Sequence, residues 1–285
     1  MQNKFPSKIF IDGGDPMETD EIKHLLGFLD GQTTNPTLIA KNLKSKQSTV
    51  NSQQKITEEQ ALDEYRKIVQ AMNKTIHGGS ISIQVFANHD TTSEEMLIQA
   101  RERRLWISNA SIKFPCTKEG LEAVSIACRE MPVNVTLVFS QSQAAAVYEA
   151  TRGAQYPVFL SPFVGRLDDR EENGMELIYN ILQMYKAGDG HVEVLTASVR
   201  SLDHLLYALQ LKSNIITSPF KILKEWKERK MVIPKESYVY PVKNLKPIPF
   251  DKKVTLGKKW EEYNLQHDLT DKGVAAFWSD WMNIF

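Results

Sequence analysis

Short apolar-rich runs alternate with amphipathic stretches along most of the chain. Eight of the runs read as strands: KIFID (8–12), GQTT (31–34), SISIQVFA (80–87), NASIKF (109–114), VNVTLVF (133–139), PVFLS (157–161), VEVLTAS (192–198) and SNIIT (213–217). Helical patterns lie between them. TEEQALDEYRKIVQAMNK (57–74) opens on Thr57 with Gln60 three residues on, a pair able to cap a helix start reciprocally. LEAVSIACRE (121–130) and SLDHLLYALQ (201–210) carry apolar residues at helical spacing. Eight strands alternating with helices predict an α/β fold of the TIM (β/α)8 barrel type, although a doubly wound open sheet shares the alternation.

Two stretches fall outside the alternation. KNLKSKQSTVNSQQK (41–55) is polar and poor in aliphatics, and reads as a surface excursion before the next helix. Beyond residue 230 the chain turns proline-rich, in PKESYVYPVKNLKPIPF (234–250), and then presents LTDKGVAAFWSDWMNIF (269–285). There Val274, Phe277, Trp278 and Trp281 form one apolar face at i, i+3, i+4 and i+7. The expected organisation is a catalytic barrel over 1–230 and a C-terminal extension over 231–285. The helix of that extension must dock on the barrel or on a neighbouring subunit.

Within the strands, polarity follows parity. Side chains alternate across a strand, so residues of one parity face one way. Ile9 and Ile11 oppose Phe10 and Asp12; Ile81, Ile83 and Val85 oppose Ser82 and Gln84. Ala110 and Ile112 oppose Asn109, Ser111 and Lys113; Val133, Val135 and Leu137 oppose Asn134 and Thr136; Val158 and Leu160 oppose Phe159 and Ser161. In a barrel the apolar set faces the helices and the other set faces the axis. Asp12, Gln84, Lys113, Thr136, Ser161 and Ser198 then point into one cavity at the C-terminal strand ends, where barrel active sites form. Asn35 stands at the exit of the second strand.

Composition narrows the chemistry. Lysine plus arginine equals aspartate plus glutamate at 35 each in 285 residues, so no net field draws the chain to nucleic acid. No apolar run approaches a membrane span, and the N-terminus lacks the pattern of a signal peptide, so a cytoplasmic setting is expected. Cys116 and Cys128 are too few for a disulfide framework, and their spacing is compatible with one helix. The six histidines are scattered without a ligand-like spacing, so no metal is expected.

Each inward polar residue has an ordinary structural reading: a turn for Asp12, a helix cap for Asn35 and Ser161, strand filling for Thr136. Lys113 is the exception, because an unpaired ammonium among Ile112, Phe114 and Pro115 is costly to bury. Desolvation lowers the pKa of an amine, and the neutral form attacks carbonyls to give a Schiff base. Asp12 is the one acid among the inward strand ends and fits the role of proton acceptor. Arg166 and the pair Ser198 and Arg200 suit a phosphate, which a guanidinium meets with two parallel hydrogen bonds. Two surface arginines in solvated ion pairs are the alternative.

The motifs IFIDGGDPMETDEI, LDGQTTNPTLIAKN, IKFPCTKEGLEAV, VNVTLVFSQSQA, LSPFVGRLDD, LTASVRSLDHLL and ITSPFKIL, in this order over residues 9–223, resemble the transaldolase family. The final HDLTDKGVAAFWSDW resembles that family's C-terminal helix. The resemblance implies a TIM barrel with the Schiff-base lysine at Lys113 and Asp12 as acid and base at the cleaved bond. It assigns Asn35 and Ser161 to the dihydroxyacetone unit, Thr136 to a catalytic water, and Arg166, Ser198 and Arg200 to the phosphate. The implied reaction, in carbohydrate metabolism of the pentose phosphate type, moves dihydroxyacetone between sugar phosphates such as fructose 6-phosphate and erythrose 4-phosphate, without metal or organic cofactor. Sedoheptulose 7-phosphate is a further implied donor, and a homo-oligomer is expected. The departure is Gln84, where transaldolases proper carry glutamate. The small fructose 6-phosphate aldolases of the superfamily have glutamine, paired with a tyrosine where this chain has Phe163. The readings that follow are a transferase, a lyase releasing free dihydroxyacetone, or a barrel that binds a sugar phosphate without turnover.

Overall fold

The computed structural model describes residues 5–49, 56–242 and 244–285. Eight parallel strands close into a barrel in chain order: β1 (Lys8–Asp12), β2 (Gly31–Thr33), β3 (Ser80–Gln84), β4 (Ala110–Pro115), β5 (Val133–Val138), β6 (Val158–Pro162), β7 (Val192–Thr196) and β8 (Ile215–Ser218). Around them run α1 (Pro16–Leu26), α2 (Pro36–Thr49), α3 (Glu58–Thr75), α4 (Ser93–Arg104), α5 (Lys118–Ala127) and α6 (Gln141–Ala150). The ring continues with α7 (Val164–Asp168), α8 (Gly174–Tyr185), α9 (Leu202–Gln210) and α10 (Phe220–Glu228), and α11 (Asp268–Met282) ends the chain. The closed ring excludes the open-sheet alternative.

The inward parity is visible in bonds that skip a strand and so must cross the interior. Lys8 on β1 pairs with Glu193 on β7 at 2.8 Å, and the Thr33 hydroxyl on β2 meets Thr217 on β8 at 2.7 Å. Asn134 on β5 donates to Ser82 on β3 at 3.0 Å. Phe10 plugs the same interior. It leaves no room for a side chain at Gly31, where a β-carbon would lie 2.5 Å from the Phe10 ring. The other parity, including Ile9, Ile11, Ile81, Ile83, Val133 and Val135, is fully buried beneath the helices.

Three sequence readings are corrected. The stretch 41–55 is helical as far as Thr49, as the end of α2; residues 50–55 lie outside the described residues. Its polar composition fits the solvent side of a helix whose buried contacts come earlier, at Ile39, Ala40 and Leu43. Cys116 and Cys128 do not share a helix: Cys116 sits between β4 and α5, and Cys128 caps the end of α5. Both are buried free thiols. The third correction concerns β7, whose regular strand ends at Thr196. Glu193 pairs with inward Phe159, and Val194 with outward Leu160, so strand alternation places Ser198 on the outward set. Ser198 reaches the barrel mouth because its φ of 59° reverses the chain there.

The capping box of α3 is present, with Thr57 N–H donating to Gln60 at 2.9 Å and Gln60 N–H to Thr57 at 3.2 Å. The aromatic face of α11 packs on its own barrel: Val274, Phe277 and Trp281 are buried, Trp278 is half-buried, and Trp281 stacks on Phe86 with centroids 3.8 Å apart. Thr270 on the same helix donates to the Leu137 carbonyl at 2.9 Å. Leu137 lies in a bulge of β5 with φ 61°, a costly conformation for a branched residue. Helix α11 therefore holds the bulge that follows Thr136.

Candidate active site

A cavity of about 190 Å³ opens at the C-terminal ends of the strands. Asp12, Asn35, Lys113, Phe163, Arg166, Ser198 and Arg200 all line it, together with Thr33, Thr217 and Phe277. Gln84, Thr136 and Ser161 are buried in the barrel interior instead of lining that cavity. A larger groove of about 390 Å³ runs along the outer wall beside Glu58, Glu95 and Arg103, away from these strand ends.

Lys113 is 2% exposed. It is the last residue of β4 paired with β3, in register with Gln84 there and with Asn134 on β5, which leaves its side chain one direction to take. Nζ donates to the Thr34 carbonyl at 3.3 Å and lies 5.8 Å from the Phe163 ring. Burial pulls its pKa down to about 8; the Asp12 carboxylate opposes the shift and Arg166 adds to it. At neutral pH about a tenth of such an amine is unprotonated, some 300-fold more than for a free lysine.

Asp12 faces that amine from β1. Desolvation raises its pKa, while the charge on Lys113 and a hydrogen bond from Thr33 pull the other way. The Thr33 hydroxyl donates to Oδ1 at 2.6 Å and so accepts from Thr217. The carboxyl is thereby oriented by a chain of hydroxyls and left with a second oxygen for the cavity.

Beneath the lysine lies a polar relay. Ser161 donates to Asn134 at 2.7 Å, Asn134 to Ser82, and Ser82 meets Ser111 at 2.9 Å. Two atoms beside it, Gln84 Oε1 and Thr136 Oγ1, are buried without a protein hydrogen-bond partner. Buried polar atoms are rarely left unsatisfied, so these two mark a place where water or substrate belongs. Asn35 serves two ends: its Oδ1 accepts the Leu38 N–H at 3.0 Å, capping α2, and its amide side lines the cavity. The cap read from sequence and the cavity role coexist.

The far wall is cationic. The Arg166 guanidinium lies 5.7 Å from the Phe163 ring and 5.5 Å from Phe277. Burial lowers its pKa, and the nearby Arg200 lowers it further. Arg200 reaches Asp169 at 3.2 Å, an exposed pair of small energetic weight. The two arginines approach because Gly165 has no side chain; a β-carbon there would meet the Ser198 carbonyl at 2.3 Å and the Arg200 chain at 2.4 Å. Like charges brought together in a partly dry pocket favour an anion between them.

Parity could not flag Arg103, because it lies on α4. It is 2% exposed, donates to the Gln84 carbonyl at 2.7 Å and lies 4.2 Å from the Phe86 ring. Burial brings its pKa down to about 10. The signal available was an arginine on the apolar side of TSEEMLIQARERR (92–104), at i+7 from Met96. Tyr65 adds a second hold on the same strand, its hydroxyl accepting the Gln84 N–H at 3.2 Å.

A family profile described as Transaldolase/Fructose-6-phosphate aldolase matches residues 9–285. The chain is similar to a "Probable transaldolase" of Dehalococcoides mccartyi, 32% identical over 97% of this chain and 99% of that protein. A "Probable transaldolase" of Anaeromyxobacter sp. is 38% identical over 97% and 98% of the two chains. One from Methanococcus maripaludis is 34% identical over 96% and 97%.

Proposed function

The chain belongs to the transaldolase/fructose-6-phosphate aldolase family, and from that premise we propose that it is a transaldolase working through a Schiff base on Lys113. One observation carries the reading: a buried amine with a pKa near 8 faces a carboxyl group across a barrel mouth that ends in two arginines. Neutral Nζ attacks the C2 carbonyl of a ketose phosphate, and the carbinolamine loses water to leave an iminium. Asp12 takes the proton of the C4 hydroxyl as the C3–C4 bond breaks. The bonding pair moves into the iminium to form an enamine, and an aldose phosphate departs. The enamine then attacks the aldehyde of a second aldose phosphate, Asp12 returns its proton, and water frees the lengthened ketose.

In this reading Arg166, Ser198 and Arg200 hold the phosphate, Asn35 and Ser161 serve the dihydroxyacetone unit, and Phe163 walls the lysine. Gln84 and Thr136 orient the water that enters and leaves. Fructose 6-phosphate or sedoheptulose 7-phosphate is the donor, in the cytoplasm, where such charged sugars are retained. Assembly into a homo-oligomer rests on the family likeness alone, since the aromatic face of α11 is used within the chain.

Gln84 favours a second reading. Glutamine at this position resembles the small fructose 6-phosphate aldolases, and an amide holds a water without taking its proton. In the lyase reading that water gives a proton to C3 of the enamine and the iminium re-forms. Addition of hydroxide or water at C2 then breaks the C–N bond to free dihydroxyacetone and the Lys113 amine. Breakdown of fructose 6-phosphate with and without erythrose 4-phosphate separates the two. Turnover is expected to need the acceptor, and equal rates without it overturn the transferase reading in favour of the lyase. Borohydride with the ketose is expected to fix a covalent adduct on Lys113; its absence would leave only a binder.

A further inference from the structure

One buried titratable side chain stands behind the cationic wall and has no part in the chemistry above. His204, on α9, is 3% exposed. Its Nδ1 accepts the backbone N–H of Arg200 at 3.2 Å, and its Nε2 lies 2.7 Å from Oδ2 of Asp168. A neutral imidazole has one donor and one acceptor nitrogen. An N–H already points at Nδ1, so the ring proton sits on Nε2 and is donated to Asp168. Asp168 is anchored in its turn, its Oδ1 accepting the Gly174 N–H at 3.0 Å. Tyr240 covers the ring at 5.9 Å and is itself stacked on Tyr207 at 4.9 Å.

The pair joins the two pieces of chain that carry the arginines. Asp168 ends α7, the helix of Arg166, and His204 grips the backbone of Arg200. That grip has work to do. Ser198 is held at φ 59°, and two like-charged guanidinium groups are brought together over Gly165. Backbone bonds from Val164 N–H to the Ala197 carbonyl at 3.1 Å and from Gly165 N–H to the Ser198 carbonyl at 3.0 Å tie the start of the turn to α7 but stop two residues short of Arg200. The Asp169 contact of Arg200 is too exposed to hold that residue by itself.

We propose that His204 and Asp168 are positioning residues for anion binding: together they lock the Ser198–Arg200 turn against α7, so that Arg166 and Arg200 present a preformed site for a phosphate group. The inference rests on reading the two arginines as that site. Neither His204 nor Asp168 lines the cavity that holds Lys113.

Calorimetric titration with inorganic phosphate tests it without turnover. Wild type is expected to bind, and Arg200→Ala to lose binding. His204→Phe, lacking both nitrogens, should weaken binding by about tenfold, the scale of one lost buried hydrogen bond to a charged site. His204→Asn keeps an acceptor where Nδ1 stood and should stay within about threefold of wild type, whereas His204→Gln keeps only the partner of Asp168 and should resemble the phenylalanine variant. Unchanged binding in His204→Phe overturns the inference and leaves the anion site standing. Should that variant not fold, equal affinities in the asparagine and glutamine variants overturn it. If wild type itself binds no phosphate, the anion site fails and the inference with it. In assays the same split should appear as a raised KM for the phosphorylated ketose with kcat little changed; a loss confined to kcat contradicts a positioning role.

Discussion

Lys113 is paired to strands on both sides and Asp12 to Thr33 of β2, so the ladders leave each side chain one direction to take. Arg166 and Arg200 stand on a five-residue helix and a turn, held by a glycine contact, a left-handed serine and a histidine–aspartate pair. The amine half of the cavity is thus rigid by construction, while the cationic half is assembled from loops braced against each other. The division suits the chemistry proposed above. An amine and a carboxyl that exchange protons with one substrate carbon chain must keep a fixed spacing. A phosphate end must bind, leave and be replaced by another, which a braced loop allows.

The comparison breaks most severely at Lys113. Lys113→Met keeps the apolar stem and removes the nucleophile, and should lower sugar-phosphate turnover by at least about 10⁴-fold, because among the described residues no second lysine lines that cavity. Phosphate affinity at the arginines should persist. Mass spectrometry after borohydride reduction checks it: an adduct on another residue, or more than a hundredth of the wild-type rate, would mean that the strand half does not carry the covalent step.

The opposite half is broken at Gly165. A β-carbon in Gly165→Ala cannot avoid the Ser198 carbonyl, so the turn must shift and Arg200 with it. KM for the phosphorylated donor should rise about tenfold, as for one lost charge-assisted contact, while the borohydride adduct at saturating substrate stays at its wild-type yield. Equal losses in KM and adduct yield would show that the two halves are not separable.

The same division decides what could be read in advance. The barrel, the strand positions and the inward set Asp12, Gln84, Lys113, Thr136 and Ser161 follow from a period-two pattern that the ladder enforces residue by residue. Ser198 lines the cavity, but not by alternation, which sends it outward; only its backbone reversal returns it. The histidine of LDHLL and the arginine of QARERR escaped, since a buried polar residue on a helix follows no parity, and its partners lie 36 and 19 positions away. The polar tract 41–55 marks the limit of composition, which does not tell whether a polar stretch is helical: its backbone is α2 as far as Thr49.

The smallest effect concerns stability, and it comes from the strand half. The unfolded chain holds the Lys113 proton to a pH near 10.5, the folded chain only to about 8. Below pH 8 both states carry the charge and the fold bears the full cost of burying it, at most about 3 kcal/mol for a shift of this size. Between about 8 and 10.5 the folded state has released its proton while the unfolded state keeps it, so stability gained from this group rises with pH; above that the term vanishes. Lys113→Met removes the charge and leaves Asp12 free to protonate, so it should be more stable than wild type by about 1–3 kcal/mol at pH 7. The difference should shrink as pH climbs toward 10. Urea unfolding at pH 7, 8.5 and 10 measures it, and a variant less stable than wild type at pH 7 would show that the buried amine is held by attraction to Asp12 more strongly than it is penalised by lost water.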